Sequence, residues 1–133
     1  MNELSDAIYT ALANNTNLTN LVSLRIYRDV APQTATYPLV TFQMVAGGTV
    51  TETPTDAANP MYLVSAISDS SAAQAETLAG YIHTALHKVT LSVSGWTNIW
   101  TAVGTHLDTV QLPSSSGVPL WQAGRFVSFR LSK

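Results

Sequence analysis

The chain has 133 residues, a length that supports one domain. Only 11% of the residues are charged, less than half of the roughly one quarter found in average proteins, and the net charge is −2. These values argue against a disordered acidic tail and against a nucleic-acid binder that relies on a large basic patch. The absence of cysteine excludes disulfides, zinc–thiolate sites, iron–sulfur clusters and cysteine nucleophiles.

Threonine and serine take the place of the missing charges, as in residues 49–55. A surface of neutral hydroxyls leaves few charges to desolvate against a partner, which favours an assembly subunit. The same composition also fits a general habit of the source organism. The apolar stretches end well before the ~20 residues that a transmembrane helix requires, and the N-terminus does not resemble a signal peptide. We therefore expect a non-secreted protein with no membrane partner.

The first half of the chain predicts two helical segments followed by strands. Apolar side chains at three- and four-residue spacing predict a helix over residues 4–13 and a further short turn over 18–22. Strands are predicted over 25–28 and 38–46, the second with one apolar face and one half-polar face. Residues 47–60, rich in threonine and proline, predict a loop or a protruding hairpin arm.

The second half predicts one long helix between strands. A strand over 61–68 precedes a helix over 71–88, which begins with a capping box of Ser71 and Gln74. Glycines and a proline- and serine-rich loop then divide three strand-like runs, which cover about 90–101, 105–112 and 120–131. This order predicts an α+β fold with a mainly antiparallel or mixed sheet. The N-terminal helix and the long central helix are expected to pack on one face of that sheet.

Residues with chemical potential are few. His83 and His87 share a helix face, but the zinc-protease motif needs a glutamate where Thr84 stands. His106 and Asp108 do not by themselves define a catalytic triad, because a triad is recognised by its geometry. We therefore predict no enzyme activity, no catalytic residues, no metal and no cofactor. A small ligand-binding domain or enzyme that uses the three histidines remains the alternative from another functional class.

Short segments in the N-terminal third carry a family resemblance: Arg25-Ile26-Tyr27, Ala31-Pro32-Gln33 and Tyr37-Pro38. The strand ending at Ser68, the helix after it and the strand containing Trp121 extend the same order of elements over nearly the whole chain. On these features the chain resembles the small tail-completion proteins of long-tailed bacteriophages, also called tail-to-head joining or tail terminator proteins.

The resemblance implies a structural virion protein. It implies a ring, most often a hexamer, that caps the head-proximal end of the tail tube, stops tube polymerisation and forms the joint to the head connector. The implied partners are other copies of the chain, the tail tube protein and the head connector or head-completion protein, with DNA only as passing cargo. The implied location is the tail or neck of the virion, and the host cytoplasm during assembly. Another neck, head-closure or minor tail protein is the alternative.

The whole chain, 1–133, is expected to form one tail-completion domain with an arm at 47–60, which is longer and richer in threonine and proline than the resemblance implies. Long polar loops on a rigid scaffold commonly carry contacts. The predicted interface residues are Thr49, Thr51, Glu52, Thr53 and Thr55 in the arm, Ser114, Ser115 and Ser116 in the late loop, and Arg125.

Overall fold

Helices and strands alternate along the chain in the computed structural model, which describes residues 2–32, 35–47, 49–51, 56–112 and 119–132. The helices are α1 (Asn2–Ala13), α2 (Thr16–Val22) and α3 (Ala72–Leu86). The strands are β1 (Ile26–Arg28), β2 (Leu39–Ala46), β3 (Thr49–Thr51), β4 (Asp56–Ala58), β5 (Met61–Ser68), β6 (Thr97–Leu112) and β7 (Leu120–Ser132). The predicted α+β class is confirmed. No helix within the described ranges is long and apolar enough to cross a membrane.

All the strands belong to one mixed sheet. Its order is β1-β2-β5-β7-β4-β3, and β6 pairs with the other edge of β7. β1 runs parallel to β2, and the other neighbours are antiparallel. Because β6 follows β7 along nearly its whole length, β4 and β5 must share the opposite edge of β7. The short hairpin β3–β4 therefore extends the long hairpin β2–β5.

Gly47 lies where the two hairpins join. Its φ is +97°, and a side chain there would collide with the backbone of Asn59 and Pro60. The predicted arm at 47–60 thus contains two strands, one of which pairs with β7. Whether the arm protrudes stays a prediction, since residues 52–55 lie outside the described part of the chain.

The core lies between the helices and one face of the sheet. Strand alternation sends Tyr62, Val64 and Ala66 of β5 to this face, and each is at most 1% exposed. The apolar stripe of α3 packs on it, as do the apolar sides of α1 and α2. The fully buried helix residues are Leu4, Ile8, Leu12, Leu18, Val22, Ala75, Leu78, Ala79, Ile82 and Leu86.

The start of α3 differs in detail from the predicted capping box. The Ser71 side chain accepts a hydrogen bond from the Gln74 N–H at 3.1 Å, as expected of an N-cap. The Gln74 side chain, however, bonds to the Ser68 hydroxyl and does not return to the Ser71 N–H. Ser68, fully buried at the end of β5, thereby links that strand to the helix.

Two predicted boundaries in the second half are wrong. Residues 90–96 form no strand and contain only an isolated β-bridge between Val93 and Trp96. The runs 90–101 and 105–112 are not divided at Gly104, because one strand, β6, continues through it. A register shift between Val103 and His106 lets the strand keep its pairing with β7 across the glycine.

Candidate functional site

The predicted interface residues fall into two groups. Thr49 and Thr51 lie in β3, where their backbones pair with Ala58 and Asp56. The other loop residues lie outside the described part of the chain: Glu52, Thr53, Thr55, Ser114, Ser115 and Ser116. Arg125 lies in β7, within the described part. An interface role for all of them stays a prediction.

Arg125 lies on the helix-covered face of the sheet. It stands between Ala123 and Val127, both buried, and pairs with Val64 of β5 on one side and His106 of β6 on the other. Its Nη1 donates to the Gly124 carbonyl oxygen at 2.9 Å. Its Nε is buried and has no hydrogen-bond partner among the described residues. A guanidinium is thus held beside the core with one donor unsatisfied.

The three histidines of the chain meet at the same place. The ring centroids of His83 and His87 on α3 are 4.7 Å apart, and the His106 ring stands nearly perpendicular to that of His83 at 6.2 Å. The backbone N–H of Val103 donates to His87 Nδ1 at 3.1 Å, so this nitrogen carries no proton in the structure. We call His83, His87, His106 and Arg125 the basic cluster.

Burial and nearby positive charges change the acidity of His83. Burial lowers the pKa of His83 below its usual value, and the positive charges of His87, Arg125 and His106 lower it further. The neutral imidazole is therefore favoured at this position. Glu76, about two helical turns before His83 on α3, accepts a hydrogen bond from the Thr109 hydroxyl at 2.9 Å.

A β-bulge assembles the basic cluster. With uninterrupted alternation from Val103, His106 would point away from α3. The register shift between these two residues sets His106 opposite Arg125, on the helix-covered face. Sequence reasoning identified the helical His pair but missed its union with His106 and Arg125. Alternation along β7 was the available signal, because it already places Arg125 on the side of Ala123 and Val127.

Within the described part of the chain, the cluster does not have the geometry of a metal centre. Across the described residues, no group of three or more His, Cys, Asp or Glu side chains is placed to hold a metal ion. An open cleft of about 720 Å³ lies between α1 and residues 89–94, lined in part by Glu3 and Asp6. No member of the basic cluster lines this cleft.

The second face of the sheet carries exposed apolar side chains. The helices of the described chain pack on the opposite face, with the buried core. On the second face Trp100 pairs with Arg130 and is 47% exposed, next to the bulged Ile99, which is 54% exposed. Leu63 and Phe126 face each other on β5 and β7 and are only partly buried. We call Ile99, Trp100, Leu63 and Phe126 the open face.

The comparisons with known proteins agree with this architecture. A family model described as tail completion protein gp17 matches residues 6–111. No curated protein matches the sequence significantly. Among sixteen matching chains of solved structures is one from the virion of a native gene transfer agent particle. That match has a TM-score of 0.76 and 19% identity, and it covers 98% of this chain and 95% of the other. The chain belongs to the tail completion protein gp17 family and is a structural protein of phage-type tails, not an enzyme.

Proposed function

We propose that this chain caps the head-proximal end of the tail tube as a ring, most often a hexamer, and forms the joint to the head connector. The family match over residues 6–111 carries the proposal, since completing a tail is the activity that the family name describes. In this function the chain works by binding. One surface joins the last ring of the tube, and the opposite surface is one on which no further tube ring can add.

The open face supports this function physically. Trp100 and Ile99 expose about half of their surfaces, and large exposed apolar side chains in a group favour protein contacts. Tryptophan is also enriched among the residues that dominate interface energies. Arg130, the nearest charge, already donates to the Asn59 side chain at 2.9 Å. Burying this face against a neighbouring subunit or the tail tube therefore desolvates little unpaired charge.

The test is a tail-capping assay with purified protein and purified tails that lack it. Light scattering gives the mass of the free protein, and electron microscopy shows where it binds on the tails. We expect a ring at one end of each tail, after which the tails join filled heads. Binding to filled heads in the absence of tails would instead indicate a head-closure protein. A monomer indifferent to both heads and tails would refute the proposal.

Trp100→Ser tests the open face in the same assay. We expect a loss of about tenfold or more in tail capping, the effect of removing an interface hot spot. Val30→Ser is the matched control, since Val30 is 81% exposed and lies outside the strands. Equal activity of the two variants would exclude Trp100 from the contact.

The arm needs a smaller change than its complete removal. Deleting residues 50–58 would remove Ala58, which is fully buried and pairs with Leu131. Replacing only residues 52–55 by Asn-Gly keeps both strands and closes them with a two-residue hairpin turn. If the arm makes an assembly contact, this variant folds normally and caps tails poorly. Wild-type capping by the variant would exclude the arm.

A further inference from the structure

All three histidines and one of the chain's six Lys and Arg residues lie together in the basic cluster. The side chains come from α3, β6 and β7, so the cluster is a product of the tertiary fold. His83, His87 and Arg125 are partly exposed and His106 is exposed, so the cluster opens to solvent. Glu76, on the same helix as His83 and His87, accepts a hydrogen bond from the Thr109 hydroxyl. Asp108 also belongs to β6, but its side chain lies outside the described part of the chain.

The basic cluster has an electrostatic cost when no anion is bound. A proton added to an imidazole is repelled by the positive charge of Arg125 and by any other protonated ring. The buried Nε of Arg125 adds the cost of a charged group's donor that has no hydrogen-bond partner. A negatively charged group that contacts the guanidinium and the imidazoles removes both costs.

We propose that the basic cluster is an anion-binding site that receives a carboxylate group of a protein partner. The guanidinium supplies two parallel donors to a carboxylate, and His83 and His106 supply N–H donors beside it. Because Arg125 is partly exposed, a rotamer change turns its unsatisfied Nε toward the incoming group, a common change at interfaces. The existence of the anion site stands on the geometry alone. Its assignment to a protein partner rests on the proposed function.

Charge elsewhere on the chain favours a carboxylate over a nucleic-acid phosphate. Proteins that bind a phosphate backbone neutralise many phosphates with lysine and arginine. This chain has only six such residues and a net charge of −2. Two of those six, Arg25 and Arg130, already donate to Pro38 and Asn59. A single compact cluster matches one carboxylate better than a charged polymer.

Anion binding and proton binding must reinforce each other. A carboxylate near the rings favours the imidazolium form of His83, so it raises the pKa of His83 and binds more tightly as the pH falls. The groups that face His83 are His87 from its own helix, His106 from β6 and Arg125 from β7. Removing the guanidinium should weaken anion binding and reduce the rise in the pKa of His83 that the anion causes.

The first test is NMR titration of the three histidine rings in the purified protein, with sodium acetate replacing sodium chloride at constant ionic strength. We expect acetate to raise the pKa of His83 by about 0.5 unit or more. Arg125→Gln should abolish most of this response, and Arg125→Lys should retain part of it. Arg130→Gln, on the same strand, is the matched control and should respond like the wild type.

Three results would overturn the proposal. No shift of any histidine with acetate means that the cluster binds no carboxylate. A shift with inorganic phosphate that acetate does not reproduce assigns the cluster to phosphate groups. An unchanged acetate response in Arg125→Gln removes the arginine from the site. If Arg125→Gln does not fold, the acetate and phosphate titrations of the wild type still decide between the outcomes.

The second test separates this proposal from the proposed function. Arg125→Gln is compared in the tail-capping assay with Arg28→Gln, which changes an exposed arginine of β1 at the far edge of the sheet, and we expect about a tenfold loss only for Arg125→Gln. If acetate binds but Arg125→Gln caps tails normally, the partner assignment is wrong while the capping function stands. If the wild type itself fails to cap tails, the proposed function is wrong and the acetate result still decides whether the anion site exists.

Discussion

Replacing Gly47 by alanine tests how the two hairpins are joined. The φ of +97° at this position is one that alanine adopts only under strain. A Cβ atom would also lie 2.2 Å from the Asn59 carbonyl oxygen and 2.5 Å from Pro60 Cα. Both contacts are with backbone, so no side-chain rotation relieves them. The strands must separate by about 1 Å to restore normal packing distances.

The magnitude follows from two terms. Strain at positive φ costs about 1–2 kcal/mol for a residue with a side chain. Separation of the strands weakens the pairing of β4 with β7 and the burial of Ala58, which is 0% exposed. A combined loss of about 3–4 kcal/mol is at the upper end for single substitutions and is expected where strain and misfit coincide. The loss of stability cannot exceed the cost of detaching the β3–β4 hairpin from β7, because detachment removes the clash.

Two other glycines separate the effect of backbone strain from that of the steric clash. Gly95 has a φ of +80° but open space where a Cβ atom would lie, so Gly95→Ala should lose only the strain term. Gly80, inside α3, has nothing within 4 Å of an added Cβ, so Gly80→Ala should gain about 0.5–1 kcal/mol. Urea unfolding followed by tryptophan fluorescence measures the free energy of unfolding of all three variants. The reasoning is refuted if Gly47→Ala is no less stable than Gly95→Ala.

Two further predictions concern buried and titrating groups. Tyr62→Phe removes the hydrogen bond of 2.9 Å between Tyr62 and Ser5 and keeps the ring contacts. Urea unfolding should therefore show a free energy of unfolding lower by about 1 kcal/mol. An unchanged free energy would show that this bond contributes nothing to stability. For His83, the lowered pKa means that the folded chain binds fewer protons than the unfolded chain, so stability should fall as the pH drops below about 6.5. His83→Gln should reduce that fall between about pH 7.5 and about pH 5, and an unchanged pH dependence would contradict the role of His83.

The elements with strong periodicity were predictable from the sequence. The four-residue spacing of Leu4, Ile8 and Leu12 places them on one helix face, so it predicts α1 without knowledge of the segments that pack against it. The alternation in β2 and β7 predicts those strands in the same way. The tail-completion resemblance also follows from short local segments, and the family match confirms it.

The strand β6 shows where local reasoning fails. Gly104 is a strand-breaking signal in the sequence, but pairing with β7 continues on both sides of it. Pairing with the long strand β7 on both sides of the bulge stabilises it. A prediction from the residues near Gly104 alone does not include that partner strand. The parallel pairing of β1 with β2 is likewise set by the choice of partner and not by either segment alone.

By itself the sequence determined the composition, the helical stripes, the strand alternation and the family, because each of these depends on neighbours along the chain. The tertiary structure alone decided that Gly47 meets Asn59, that His106 turns to the helix side, and that Arg125 stands among three histidines. The physical reason is that register and bulge placement depend on contacts between distant segments, and a one-residue shift moves a side chain to the opposite face.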